Sequence, residues 1–219
     1  MNKNKIKKIM RSSWLTYKIV DFFVSVYAKF GLKVKKKTGT KIKRYCLGKK
    51  NSFTAGNNCL IDNLFVKIIG NNNSIIIGNN VSIHKNCNFY IFGNNSKIVI
   101  GDNCSMTHDC QIEVQEENQY IILGKDCMLS NHILIRNNDS HFIYDIGTDN
   151  RTNPPKSVEI GEHVWLAAGV TVLKGVHIGS GSVIGMNSIV THDISENCIA
   201  AGIPAKVVKE NVEWSATKK

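Results

Sequence analysis

From Ile160 onward an aliphatic residue returns every six positions, at Ile160, Leu166, Val172, Ile178, Ile184 and Val190. The fourth residue after each is small or aliphatic: Val164, Val170, Val176, Ser182, Ser188 and Ile194. A helix repeats its buried face every ~3.6 residues and a half-buried strand every second residue, so a period of six fits neither by itself. It fits a short strand followed by a turn, repeated. In the earlier half Ile77, Ile83 and Phe89 are followed by Ile100, Met106 and Ile112, then by Leu123, Leu129 and Ile135. Three hexads thus make one coil, and stacked coils share a continuous interior. The stretches Gly70 to Gly78 and Gly93 to Gly101 are near copies, and their Gly and Asn residues suit turns with unusual backbone angles.

A different period runs near the start of the chain. Leu15, Ile19, Phe22, Phe23, Val26 and Phe30 recur at helical spacing, with Lys18, Asp21, Ser25 and Lys29 on the other side. Lysine clusters flank this amphipathic helix, as expected for a helix lying on an anionic membrane surface through residues 1–40. A helix packed on its own protein or on a partner subunit explains the pattern equally well. The expected organisation is a basic helical extension over residues 1–50, a solenoid domain over 51–208 and a tail over 209–219. Lys18, Asp21 and Lys29 interrupt the apolar stretch, which argues against a clean membrane span or a cleaved secretory signal.

Charge follows the same division. The chain of 219 residues has 28 basic and 17 acidic side chains, a net +11 that first suggests nucleic acid, an anionic membrane or an acidic substrate. Residues 1–50 hold 16 Lys/Arg and one acid, Asp21, hence +15, which leaves −4 for the remainder. The basicity therefore speaks of location, and no nucleic-acid partner is expected. Seven cysteines without a CxxC pair indicate a reducing compartment, with a cytoplasmic location, peripheral at the inner face of a membrane, as the expectation. Cys59, Cys87, Cys104, Cys110 and Cys127 fall on the small hexad position and should point inward, while the pattern assigns neither Cys46 nor Cys198.

The rhythm stops between Ile135 and Val158, where a loop over 136–157 reads Arg136-Asn137-Asn138-Asp139-Ser140-His141-Phe142-Ile143-Tyr144-Asp145 before reaching Pro154-Pro155. A long excursion from a regular solenoid is usually functional. His141 is suited to accept a proton near neutral pH. Arg136 would suit an acidic ligand, or be simply solvated.

The hexads, the loop Asp139-Ser140-His141, the run Ile160 to Leu166 containing Trp165, and the ending Ala201-Gly202-Ile203-Pro204-Ala205-Lys206 together resemble hexapeptide-repeat acyltransferases. Within them the likeness is to bacterial capsular polysaccharide O-acetyltransferases, including those acting on polysialic acid. The resemblance implies an all-β fold, a left-handed parallel β-helix. Its handedness comes from the resemblance alone, since left-handed crossovers run against the general rule. It also implies a homotrimer, acetyl-CoA as co-substrate, no metal, and a glycan hydroxyl as acceptor. His141 becomes the general base and Trp165 the residue beside the thioester. Backbone N–H groups near Ala167 and Ala168 would meet the oxyanion, and Gly185, Met186, Thr191, Pro204 and Lys206 would line the coenzyme groove.

Asp139 or Asp145 could orient His141 or merely cap a turn, and Asp139, Arg136 and Tyr144 are the expected acceptor contacts. Ala167 in place of a frequent Gly, His192 in place of a frequent Lys, and Ile203 before Pro204 depart from the family pattern. His84, His108 and His132, spaced by 24 residues, almost one coil, could form a short ladder and read as turn or surface histidines in preference to a metal site. N-acetylation of a nucleotide-linked amino sugar and a non-catalytic scaffold at the membrane are the competing functions.

Overall fold

The computed structural model describes residues 32–34 and 41–218. Among the described residues the strands form three sheets of seven, seven and eight strands, and the chain visits the sheets in fixed rotation. In one coil, Asn88–Phe92 belongs to the first sheet, Lys97–Ile100 to the second and Ser105–Met106 to the third. Every pairing between coils is parallel; only Ile199–Gly202 and Ala205–Lys209, at the far end, pair antiparallel. No helix occurs among the described residues, and the architecture is an all-β parallel solenoid.

The hexads set this register. Ile160, Leu166, Val172, Ile178, Ile184 and Val190 are all buried, as are their companions from Val164 to Ile194. Each aliphatic side chain therefore sits on the matching side chain of the next coil, as Phe89 on Ile112 and Ile112 on Ile135. Burying each such side chain contributes ~1.5–3 kcal/mol. Coils in the earlier half repeat every 23 residues, Ile112 to Ile135, whereas Val172 pairs Val190 after 18. The extra residues fall between the first and second sheets, and the loop after Arg136 leaves the prism at that same edge.

The turns explain the Asn content. At the edge between the third and first sheets Asn63, Asn86, Asp109, His132, Gly169 and Asn187 stack as successive rungs, all with positive φ. Asn, Asp and Gly adopt that conformation at the lowest cost. At the edge between the second and third sheets the side chains of Asn80, Asn103 and Asp126 hydrogen-bond from coil to coil at 3.0 and 2.8 Å. Gly70 is required twice over: its φ is 129°, and a Cβ there would stand 1.7 Å from the Gly93 carbonyl oxygen.

Two expectations need correction. The solenoid does not start at residue 51, because Leu32–Val34 pairs with Asn51–Ala55 and Ile42–Leu47 pairs with Leu64–Ile69. Lys43 and Arg44 face outward in the second of these strands and hide its alternation, leaving Cys46 as its buried residue. Cys59 is only partly buried, unlike Cys87, Cys104, Cys110 and Cys127; Cys198 is buried as well. The segment expected as a C-terminal tail is tied to the solenoid in its described part: Lys209 ends the closing strand, Val212 N–H donates to the Asn197 carbonyl, and Trp214 packs on His163. The amphipathic helix expected over residues 15–30 lies outside the described residues. No helix among the described residues is long and apolar enough to cross a membrane.

Candidate active site

The loop over 137–157 is exposed at its tip but tightly held at its base. Asn137, Asn138 and Asn153 are buried. Asn137 takes the place of a strand partner: its side chain accepts from Gln115 N–H at 2.7 Å and donates to the Gln115 carbonyl at 3.0 Å. Asn153 is the hub. Its amide donates to the Asp139 carboxylate at 3.0 Å and to the His141 carbonyl at 2.8 Å, while its oxygen accepts from Ile143 N–H at 2.8 Å. Arg151 makes two hydrogen bonds of 2.6 Å to the Glu116 carboxylate and lies over the Phe142 ring at 4.6 Å. A bridge between Tyr144 and Arg151 narrows the loop into a short hairpin.

His141 is thereby fixed through its backbone and exposed through its side chain; no hydrogen bond joins its ring to another described residue. Neither candidate acid orients it. Asp139 pairs instead with Lys174 at 2.5 Å, and Lys174 holds its carboxyl below the usual carboxylate range, with burial opposing and Asn153 assisting. Asp145 contributes its backbone to the hairpin, its N–H donating to the Asn150 carbonyl. Arg151 likewise depresses Glu116.

Arg136 is not the free cation that an acidic sugar would meet. Its guanidinium donates to Ser140 Oγ and stands 3.9 Å from the nearly buried Glu113 carboxylate. Its Nε is buried with no partner. Tyr144 is exposed beside Phe142, Ile143 and Ile146, so the loop tip presents an apolar surface to solvent.

Trp165 stands on the third sheet, pointing outward from Trp165–Leu166. Its indole N–H donates to Ser130 Oγ at 3.4 Å. Trp214, from the C-terminal segment, leans on it with ring centroids 5.9 Å apart and stacks on His163 at 4.1 Å. Two hydrogen bonds lock that stack, Trp214 Nε1–H to the His163 carbonyl at 2.8 Å and His163 Nε2 with the Trp214 carbonyl at 3.1 Å.

Ala167 and Ala168 follow Trp165 at the edge leading to the first sheet and are not equivalent. Ala167 N–H is consumed by the Ile184 carbonyl at 2.9 Å, whereas no carbonyl among the described residues accepts from Ala168 N–H. Of the two, only Ala168 therefore keeps a backbone N–H that no described carbonyl takes up. Gly185 and the exposed Met186 form the next rung, where a Cβ on Gly185 would meet Ala201 at 2.9 Å. Pro204 follows a cis peptide bond in the turn between the two closing strands, and Lys206 is exposed on the second of them. Thr191 falls at the loop edge instead, bonded to His192 at 2.8 Å. The structure thus gathers Trp165, Ala167, Ala168, Gly185 and Met186, and places His141, Asp139 and Tyr144 on a different edge of the same prism.

Sequence reasoning missed Asn153, Arg151, Glu116, Lys174 and Trp214. Nothing in a single sequence separates these polar residues from ordinary turn residues; Trp214, a lone aromatic in a polar tail, was the available signal.

Residues 157–192 match the bacterial transferase hexapeptide family (six repeats). The chain is similar to the solved structure of the polysialic acid O-acetyltransferase OatWY, with 33% identity and a TM-score of 0.78 over 86% of this chain and 89% of that one. It is also similar to the polySia specific acetyltransferase NeuO, at 31% identity and a TM-score of 0.66 over 84% and 86% of the two chains. The polysialic acid O-acetyltransferase of Escherichia coli O1:K1 / APEC is 36% identical over 87 residues, 40% of this chain and 28% of that protein. The matched stretches span less than half the length of the curated relatives. Coils, loop and relatives together place the chain in the hexapeptide-repeat acyltransferase family, close to its polysialic acid O-acetyltransferases.

Proposed function

We propose that this protein transfers an acetyl group from acetyl-CoA to a hydroxyl of a bacterial surface glycan, sialic acid-containing polymers included. The observation that carries this reading is the placement of His141: an unbonded imidazole on a rigidly anchored loop, at a different edge from Trp165 and the spare Ala168 N–H. In this reading a second copy brings its loop against the Trp165 edge, and three copies close the ring. The exposed apolar tip Phe142, Ile143, Tyr144 and Ile146 favours such a contact.

The chemistry then runs in two steps. A sugar hydroxyl oxygen attacks the thioester carbonyl carbon while the free ring nitrogen of His141 takes its proton. Ala168 N–H donates to the resulting oxyanion. On collapse the C–S bond breaks and the coenzyme thiolate recovers the proton from His141. Trp165, held by Ser130 and Trp214, offers a flat wall to the pantetheine arm.

His141→Ala should lower the rate of labelled acetyl transfer by ~10²–10⁴-fold with coenzyme A binding unchanged. Retained transfer would remove His141 from the mechanism.

A further inference from the structure

We propose that His108, Asp109 and His132 form a binding site for a divalent transition-metal ion such as Zn²⁺. One ring nitrogen from each histidine and one carboxylate oxygen of Asp109 all lie within 4.8 Å of one another. His108 Nδ1 is 2.6 Å from Asp109 Oδ2, and His132 Nδ1 is 4.0 Å from the same oxygen. Metal–ligand bonds of about 2.0–2.2 Å put the donors of one tetrahedral ion ~3.4 Å apart, so side-chain adjustments of roughly 0.6 to 1.4 Å per contact would create the coordination shell. The two rings already face each other edge to face with centroids 5.5 Å apart.

The backbone that carries them is rigid. Asp109 and His132 occupy consecutive rungs of the positive-φ ladder, where Asn63, Asn86 and Asn187 satisfy the same geometry. Asp109 N–H donates to the Lys85 carbonyl and His132 N–H to the His108 carbonyl, so both rungs are tied into the stack. The turn itself asks only for a residue tolerant of positive φ. The His132 imidazole, turned onto the Asp109 carboxylate, is surplus to that demand.

The cluster borders an open cavity of about 360 Å³ lined by His84, Lys85, Asn86, Thr107, His108 and Asp109, with room for solvent ligands. His84 lines the cavity but stands outside the three-residue group. Two imidazoles and one carboxylate suit Zn²⁺, Ni²⁺ or Co²⁺ and leave positions for water, whereas Mg²⁺ demands oxygen donors. An ion here would clip two coils together on the edge that continues to Ala168. Spacing alone read these histidines as turn or surface residues; the structure adds Asp109 between them.

The test is titration of the full-length, chelator-stripped protein with ZnCl₂ by calorimetry, together with thermal unfolding. One ion should bind per chain with micromolar affinity, and a hundredfold excess over Kd should raise Tm by ~5 °C. The double variant His108→Gln/His132→Asn, which keeps a residue suited to the ladder at position 132, should fold and lose both effects. Asp109→Asn should weaken binding at least tenfold, and MgCl₂ should produce no shift. Zinc binding undiminished in the double variant, no zinc binding to the wild-type chain, or an equal response to Mg²⁺ would overturn the proposal. Coenzyme A binding, measured on the same samples, reports on acyl transfer separately.

Discussion

Asn153 illustrates how one buried amide governs an exposed imidazole. It bonds the Asp139 carboxylate, the His141 carbonyl and the Ile143 N–H together. Asn153→Ala strands these groups at a cost of ~1–3 kcal/mol, and frees the backbone that aims His141. Under the proposed function the expected result is a fall in kcat of ~10-fold or more with an unchanged KM for acetyl-CoA, because Trp165 lies on a different part of the solenoid; steady-state kinetics checks it. Trp214 plays a comparable structural part at Trp165, since its stack with His163 is what backs that indole.

The loop as an element is held by two ion pairs to the solenoid, Arg151 with Glu116 and Lys174 with Asp139. Both carboxyls titrate below their ordinary values of 4.5 and 3.8 in the folded chain. A depressed folded pKa contributes stability that is present above the ordinary value and is lost as pH falls through the folded one. Loop anchoring should therefore be constant at neutral pH and weaken as pH falls below about 4.5. Limited proteolysis between Phe142 and Asn150 should accelerate over that acidic range when an acid-active protease is used. In Glu116→Gln the cleavage should already be faster at pH 7.

At the scale of the whole molecule the stacked coils behave as a rod whose edges display different chemistry. His141 occupies one edge and Ala168 another, so the proposed function requires two chains to complete a site. Two inactive variants make this measurable: His141→Ala lacks the base, and Ala168→Pro lacks the N–H. Each alone should be inactive, and co-expression should restore part of the activity through interfaces that pair an intact loop with an intact Ala168. No recovery in mixed oligomers would show that each chain completes its own site.

The solenoid was legible because a six-residue period constrains side-chain direction locally: an aliphatic residue at each hexad start has one interior to face, and Ile160 to Val190 all face it. Position along the chain likewise singled out the interruption at 136–157, and the resemblance supplied His141 and Trp165. The start of the first coil was not legible, since Lys43 and Arg44 mask the alternation of a strand whose pairing is made by backbone groups. Nor was the choice between Ala167 and Ala168, which depends on where one carbonyl, Ile184, ends up. The sequence determined the coil and its core because burial repeats with short range. Only the tertiary structure decided which polar groups meet, Asp139 with Lys174 instead of His141 and Asp109 with His132, because those partners lie one or more coils apart in the chain.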